Sequence, residues 1–444
     1  MTAKKYTLVF RLGLIILALS LLVHFVFFGY PAETVFDEVH FGKFVTGYFK
    51  GEYFFDIHPP LGKLMIAGMA KISGFEPGFS FEAIGQKFQD SSYKWLRFLP
   101  RLAGALLPLV IFLIALELGI AKKFAFLAGL LVIFENALLA QSRFILLDSF
   151  LLLFGFLGIL FYLKYKSISY ERSLITNISY RYLALTGIFA ALAFSVKWTG
   201  LGFLAVILIF YFWSWLKSKE KLKQGVSGLI FLILIPLAVY FSIFAVHFSL
   251  LDKPGTGNAF HPPNFQEMNL FSKFIDLNAE LYASNARLGA SHPYTSQWYQ
   301  WPFMNKPIFY WNGDDGARIY LIGNPFIWWL STIAVIYFLI FFFRNFRTLS
   351  SNYYILTTGF LANWLPFIFI GRVMFLYHYF TSLIFAILIL VFLLDKSKFA
   401  KNKIAFNAIL TGSMILFLFF SPLTYGFPIP DWYYNLLVWL PAWR

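Results

Sequence analysis

Residues 33–63 read ETVFDEVHFGKFVTGYFKGEYFFDIHPPLGK and follow directly on the first long apolar segment of the chain. The stretch opens on adjacent carboxylates, Asp37 and Glu38, and closes on His58-Pro59-Pro60-Leu61-Gly62-Lys63. Only 13% of the 444 residues are charged, so acids, a histidine and a lysine gathered here stand out. At 59% hydrophobic, the chain is not an ordinary soluble domain; it reads as an all-α polytopic membrane protein. The acidic pair then sits where the first helix leaves the bilayer.

The formal charge is +15, but the basic residues fall in short loops between apolar segments. Membrane topology accounts for them, and no nucleic-acid partner is expected. There is no cysteine, which excludes disulfides and thiolate metal or redox sites. After Lys4 and Lys5 the apolar run to Phe28 is long for a signal-peptide core, and Gly29-Tyr30-Pro31 is a poor cleavage site, so the run is read as a membrane helix.

Segments of about 20 apolar residues can span a bilayer. Eleven are read, with loose ends: 7–29, 99–119, 124–142, 145–163, 182–197, 200–216, 226–248, 325–343, 352–370, 373–394 and 404–422. Alternate turns carry Lys4/Lys5, Lys122/Lys123, Lys164/Lys166/Arg172/Arg181, Lys217/Lys219/Lys221/Lys223, Arg344/Arg347 and Lys396/Lys398/Lys401/Lys403. The positive-inside rule assigns these turns, and the N-terminus, to the cytoplasm and the C-terminus to the outside.

Two long segments are then external. Residues 30–98 contain two runs with helical apolar spacing, Phe36 to Tyr48 and Leu61 to Ile72, both too short to span and read as interfacial amphipathic helices. Residues 249–324 are rich in Pro, Gly, Asn, Trp and Tyr, which fits an interfacial belt or a carbohydrate platform. No linker marks a separate soluble domain, so residues 1–444 are read as one unit.

Charge inside a span is costly and needs a partner or a role. Arg97, Arg101, Glu135, Arg143, Asp148, Lys197, Arg372 and His378 all fall at the external ends of their spans; Glu117 is the exception. Each alone fits snorkelling or a structural ion pair, but together they suit an anionic headgroup such as a lipid phosphate. Asp37-Glu38 also fits an acid pair favoured by a helix dipole, and His-Pro-Pro a simple turn between helices. Asp37, Glu38 and His40 offer metal ligands without any tight motif, which leaves a divalent metal open and no cofactor certain. Nucleotide loops and serine-hydrolase elbows are absent from the sequence.

At these residues the chain resembles the dolichyl- or polyprenyl-phosphate-mannose protein O-mannosyltransferases of the GT-C superfamily. The resemblance runs through Phe36-Asp37-Glu38-Val39-His40-Phe41-Gly42-Lys43, Phe55-Asp56-Ile57-His58-Pro59-Pro60, Arg97 ahead of Ala103-Gly104, Gln141-Ser142-Arg143 and Leu147-Asp148. It continues through Lys197-Trp198-Thr199-Gly200, Ser291-His292-Pro293-Tyr294, Trp298 to Pro302, Gly323-Asn324-Pro325 and Tyr377-His378-Tyr379. It implies a GT-C fold of about eleven spanning helices, with the active site at the external face. Eukaryotic members carry a β-trefoil MIR domain in the later external loop; residues 249–324 are too short for one, which resembles prokaryotic members and a plasma-membrane location.

The resemblance places the catalytic carboxylate on Asp37, with Glu38 beside it to orient or bind. Asp37 would take the proton of a Ser or Thr hydroxyl. Arg97, Arg143, Lys197, Arg372 and His378 are the candidates to meet the charge of a departing lipid phosphate. Candidate acceptor or sugar contacts are His58, Lys63, Glu135, Asp148, His292 and Trp298. One displacement with one base implies inversion at the anomeric carbon of mannose. Two other readings stay open: a GT-C transferase acting on a lipid or glycan acceptor, and a secondary transporter, against which the charges collect on one face rather than the midplane.

Overall fold

The computed structural model describes residues 3–171, 177–289, 291–397 and 403–444. Arg172, Lys398 and Lys401, used above to orient the turns, lie outside the described residues. Helix α1 (Ala3–Phe25) leads into a loop, and two short helices follow, α2 (Glu38–Lys50) and α3 (Leu61–Ile72). Phe41, Val45 and Tyr48 put one face of α2 into the core. The helix ends at Gly51, whose φ of 72° lets its N–H return to the carbonyl of Gly47. Pro59-Pro60 set the start of α3, which buries Ile66, Ala67 and Ala70.

The bundle then runs through α4 (Tyr93–Glu117), α5 (Lys122–Ile133), α6 (Asn136–Ser142), α7 (Asp148–Glu171), α8 (Asn177–Val196), α9 (Leu201–Leu216), α10 (Lys221–Leu229) and α11 (Ile235–Leu250). A π-helical turn, Ile230–Leu234, joins the last two just ahead of Pro236, which has no N–H for the ladder. After the second long loop come α12 (Leu270–Arg287), the strands β1 (Ile308–Asn312) and β2 (Arg318–Leu321), α13 (Pro325–Asn345), α14 (Ser351–Ala362), α15 (Phe380–Lys396), α16 (Lys403–Tyr425) and α17 (Asp431–Leu437).

Among the described residues, nine helices are long and apolar enough to cross a membrane, or ten if α5 and α6, bent by 57°, form one span. The segment expected at 352–370 does not reach that length as one helix. It is the 12-residue α14, a break at Asn363, and a 3-10 turn Leu365–Phe369. The bend between α5 and α6 has an identifiable cause. Glu135 accepts from Leu138 N (2.8 Å) and from Asn324 N (2.7 Å), capping α6 and tying it to the start of α13. The core is formed where α4 packs on α5 and α7 and where α15 packs on α5 and α13, and Phe380 to Phe392 is buried throughout.

Residues 249–324 hold more regular structure than their composition suggests. α12 is an 18-residue amphipathic helix, and β1 and β2 form an antiparallel hairpin pairing Ile308 with Leu321. This hairpin carries a residue into the site.

Candidate active site

The loop between α1 and α2 is held by one guanidinium. Arg97, fully buried on α4, donates Nε to Glu38 Oε1 (2.7 Å) and Nη2 to Glu38 Oε2 (2.6 Å). Its remaining N–H groups reach the carbonyls of Gly29 (2.9 Å), Pro31 (2.6 Å) and Glu33 (2.6 Å). Glu38 also accepts the backbone N–H of Val35 and of Ile145, each at 2.9 Å. All five guanidinium donors are therefore occupied. Two expectations are corrected here: Arg97 has no donor left for a phosphate, and Glu38 has no free oxygen for catalysis or for a metal.

Asp37 is the opposite case. It starts α2 without a side-chain capping bond, and no described residue donates to its carboxylate. Phe36, just before it, has φ +47°, a left-handed conformation costing about 1–3 kcal/mol for a non-glycine residue. Tyr310 holds it there: the two rings stack at 4.2 Å, and Phe36 N donates to the Tyr310 carbonyl at 3.2 Å. Protein surrounds the Asp37 carboxyl while part of it stays open. Burial pushes its pKa up to about 7; Lys197 pulls against this, and Asp148 and Asp56 add to it.

Lys197 and Asp148, both within electrostatic reach of Asp37, line a cavity of about 670 Å³. His58, Asp148, Lys197, Arg372, Tyr377 and His378 line it; Leu151, Leu201, Ala205, Phe367, Phe369 and Ile370 supply apolar wall, and Asn285 and Asn363 add neutral polar groups. Lys197 Nζ donates to Asp148 Oδ1 (2.8 Å) and lies 5.0 Å from the Tyr377 ring centre. Gln141 Nε2 donates to Asp148 Oδ2 (2.6 Å), and the Tyr310 hydroxyl donates to Gln141 Oε1. A continuous chain thus joins the hairpin to the ammonium of Lys197. Among the described residues, nothing hydrogen-bonds the guanidinium of Arg372 or the ring of His58. Burial, then Lys197, Lys63, Arg372 and His378, push the His58 pKa well down, so its imidazole is neutral at pH 7.

Six expected site residues therefore come together: Asp37, His58, Asp148, Lys197, Arg372 and His378. Others do not. Arg143 is buried away from the cavity, donating to the carbonyls of Thr424, Tyr30 (2.9 Å) and Tyr425 (3.3 Å), which corrects its reading as a phosphate ligand. Lys63 pairs with Asp56 and donates to the carbonyls of His58 (2.8 Å) and Pro59 (3.2 Å), so it shapes the His-Pro-Pro turn instead of meeting substrate. Glu135 is the cap described above and leaves the list of sugar contacts. His292 packs on Phe375 (5.0 Å) and Trp298 on Trp364 (5.1 Å), in an aromatic layer that does not line the cavity. Among the described residues no group of three or more His, Asp or Glu could hold a metal ion.

Residues 14–252 match the family model for dolichyl-phosphate-mannose-protein mannosyltransferase, and residues 270–443 match the model for the C-terminal four-helix membrane region of protein-O-mannosyltransferase. The chain belongs to the dolichyl-phosphate-mannose-protein mannosyltransferase family. It is 34% identical over 249 residues to protein O-mannosyltransferase 1 of Drosophila melanogaster, covering 53% of this chain and 27% of that one. It is 34% identical over 246 residues to dolichyl-phosphate-mannose–protein mannosyltransferase 1 of Saccharomyces cerevisiae, covering 53% and 30%. The chain thus spans about a third or less of these relatives' length.

In fold, this mannosyltransferase-family chain matches the S. cerevisiae protein O-mannosyltransferase Pmt1–Pmt2 complex bound to the sugar donor, with TM-score 0.92, 21% identity, and coverage of 100% of this chain and 93% of that one. It also matches ArnT from Cupriavidus metallidurans bound to undecaprenyl phosphate, with TM-score 0.58, 11% identity, and coverage of 96% and 77%. These likenesses establish a GT-C membrane glycosyltransferase fold. Within it, sequence reading passes over Tyr310, Gln141 and Tyr377 as site residues. Gln141 and Tyr377 stand in the motif series, but Tyr310 meets Gln141 across 169 residues, a pairing with no local signal.

Proposed function

We propose that this chain transfers mannose from a polyprenyl- or dolichyl-phosphate donor to Ser or Thr hydroxyls of proteins, with inversion. The observation that carries the reading is the Asp37 carboxylate, without a hydrogen-bond partner among the described residues, within electrostatic reach of a cavity whose wall combines Lys197 and Arg372 with many apolar side chains. An isoprenoid tail suits Leu151, Leu201, Ala205 and Ile370, and a phosphate suits Lys197 and Arg372.

In the reaction, Asp37 takes the hydroxyl proton as the acceptor oxygen bonds to the anomeric carbon and the carbon–oxygen bond to phosphate breaks. The departing phosphate carries the electron pair and is met by the Lys197 ammonium and the Arg372 guanidinium. Neutral His58 adds an N–H donor without adding charge. The Tyr310–Gln141–Asp148 chain fixes where Lys197 points, and Glu38 with Arg97 fixes where Asp37 points. A pKa near 7 suits a base working near neutral pH.

The positive-inside pattern supports a cytoplasmic N-terminus, an external active site, and acceptors that are secreted or membrane proteins. The prokaryotic resemblance supports a plasma membrane. The test is transfer of labelled mannose from polyprenyl phosphate to a Ser/Thr-rich peptide by the purified chain in nanodiscs, with Asp37→Asn as control. Label on the peptide that disappears in the variant is expected. Label that persists moves the base elsewhere, and label on lipid or glycan alone replaces the protein acceptor.

A further inference from the structure

A second cavity, of about 500 Å³, lies far from the chemistry, between the end of α9 and the start of α10. Its walls are apolar or aromatic: Leu208, Phe212 and Trp215 on α9, and Leu229 and Ile233 on the far side. Gly225 and Gly228 let α10 pack closely on α9: a Cβ at Gly225 would sit 3.2 Å from Trp215 Nε1, and one at Gly228 2.5 Å from the Tyr211 ring. The indole N–H of Trp215 is already engaged by the Lys221 carbonyl (2.8 Å) and the hydroxyl of Tyr211 by the Gln224 carbonyl (2.7 Å), so neither polar side chain lining the groove has a free donor for a ligand. Leu208 to Trp215 covers about 10 Å of helix axis, within the roughly 15 Å depth of one leaflet's hydrocarbon.

The turn that closes this groove carries Lys217, Lys219, Lys221 and Lys223, all exposed, against the single acid Glu220. Glu220 neutralises Lys223 at 3.4 Å, and Lys217 folds over the Trp213 ring at 4.7 Å. Among the described residues, Lys217, Lys219 and Lys221 are left without a carboxylate partner, at the turn that joins the two helices walling the groove.

We infer that this groove binds an anionic glycerophospholipid of the phosphatidylglycerol type, its acyl chain between α9 and α10 and its phosphate among Lys217, Lys219 and Lys221. The complementarity is of sign and of depth: basic side chains near a membrane surface attract acidic lipid, and buried methylenes add chain affinity. The groove lies at the turn assigned to the cytoplasm, so this lipid is distinct from the sugar donor.

The test is native mass spectrometry of the full chain in detergent, titrated with dioleoyl-phosphatidylglycerol or dioleoyl-phosphatidylcholine. Retention of the anionic lipid at least fivefold above the zwitterionic one is expected. Lys217→Gln/Lys219→Gln/Lys221→Gln should erase that preference, and Gly225→Leu should lower retention of both lipids, while Asp37→Asn changes neither. Raising salt to 0.5 M on the unmodified chain should also erase the preference, which guards against misfolding of a variant. Equal retention of the two lipids, a preference that survives the lysine changes, or a lipid-free dimer that forms through this face would overturn the proposal.

Discussion

At the scale of single residues, two neighbouring carboxylates have opposite fates. Glu38 is saturated by a guanidinium and two amides, while Asp37 has no hydrogen-bond partner among the described residues and sits within electrostatic reach of Lys197 and Asp148. Asp37→Asn should lower turnover about 100- to 10,000-fold, with donor affinity within a few-fold, as single-turnover transfer and donor binding would measure. The unmodified chain should show kcat/KM rising with pH to a plateau above about 7, because the base must be deprotonated.

The same shift sets a stability trend. The folded chain holds the Asp37 proton up to about pH 7, and an ordinary carboxyl loses it near 3.8. Raising pH between those values therefore removes stability. Asn cannot lose that proton, so Asp37→Asn should melt above the unmodified chain at pH 8, with the gap closing by pH 4 in a thermal-shift series. Glu38→Gln breaks a fully buried pair and should cost about 3–5 kcal/mol, seen as loss of folded protein before any change in the chemical step. Arg97 and Glu38 are legible in sequence only as charges that need a reason. Their mutual pairing is invisible because they lie 59 residues apart.

At the scale of elements, the β1–β2 hairpin reaches into the membrane-helix bundle through Tyr310. Tyr310→Phe keeps the stack on Phe36 but removes the hydroxyl that fixes Gln141, leaving a buried acceptor unmet at about 1–3 kcal/mol. Donor binding should weaken while acceptor KM holds, because the chain of bonds ends on Lys197; an equal loss on both sides would assign Tyr310 a purely structural role. The short helices α2 and α3 were readable from apolar spacing and from Pro59-Pro60 between them. α12 carried the same signal, with Leu270, Phe274, Leu277 and Leu281 at helical spacing behind the Asn269 cap, and the reading of residues 249–324 by composition passed over it. The hairpin was not readable, because its order comes from packing on distant segments. The helix expected at 352–370 stops at Asn363, where Gly202 of α9 comes so close that a Cβ would lie 2.2 Å from Asn363 Oδ1. That break supplies Asn363, Phe367 and Ile370 to the cavity wall.

At the scale of the whole molecule, orientation can be tested directly because the chain has no cysteine. Tyr299→Cys, at a residue 54% exposed in the second long loop, should react with an impermeant maleimide on intact cells. Lys219→Cys should react only after permeabilisation. The reverse pattern would invert the topology and move the active site to the cytoplasm.

The sequence by itself determined the solvent: long apolar runs must lie in lipid, and the basic turns between them alternate. It also marked the charges that needed a purpose, and its motif series pointed to the family. Which of those charges is free was decided only by the tertiary structure. A guanidinium or a carboxylate at membrane depth satisfies its hydrogen bonds with whatever the fold brings near. Arg97, Arg143, Lys63 and Glu135 found backbone and side-chain partners in other segments, whereas Arg372 lines the cavity and Asp37, within electrostatic reach of its Lys197 and Asp148, was left without a hydrogen-bond partner among the described residues. Local sequence encodes the cost of burying such a group; the identity of its partner is a long-range property of packing.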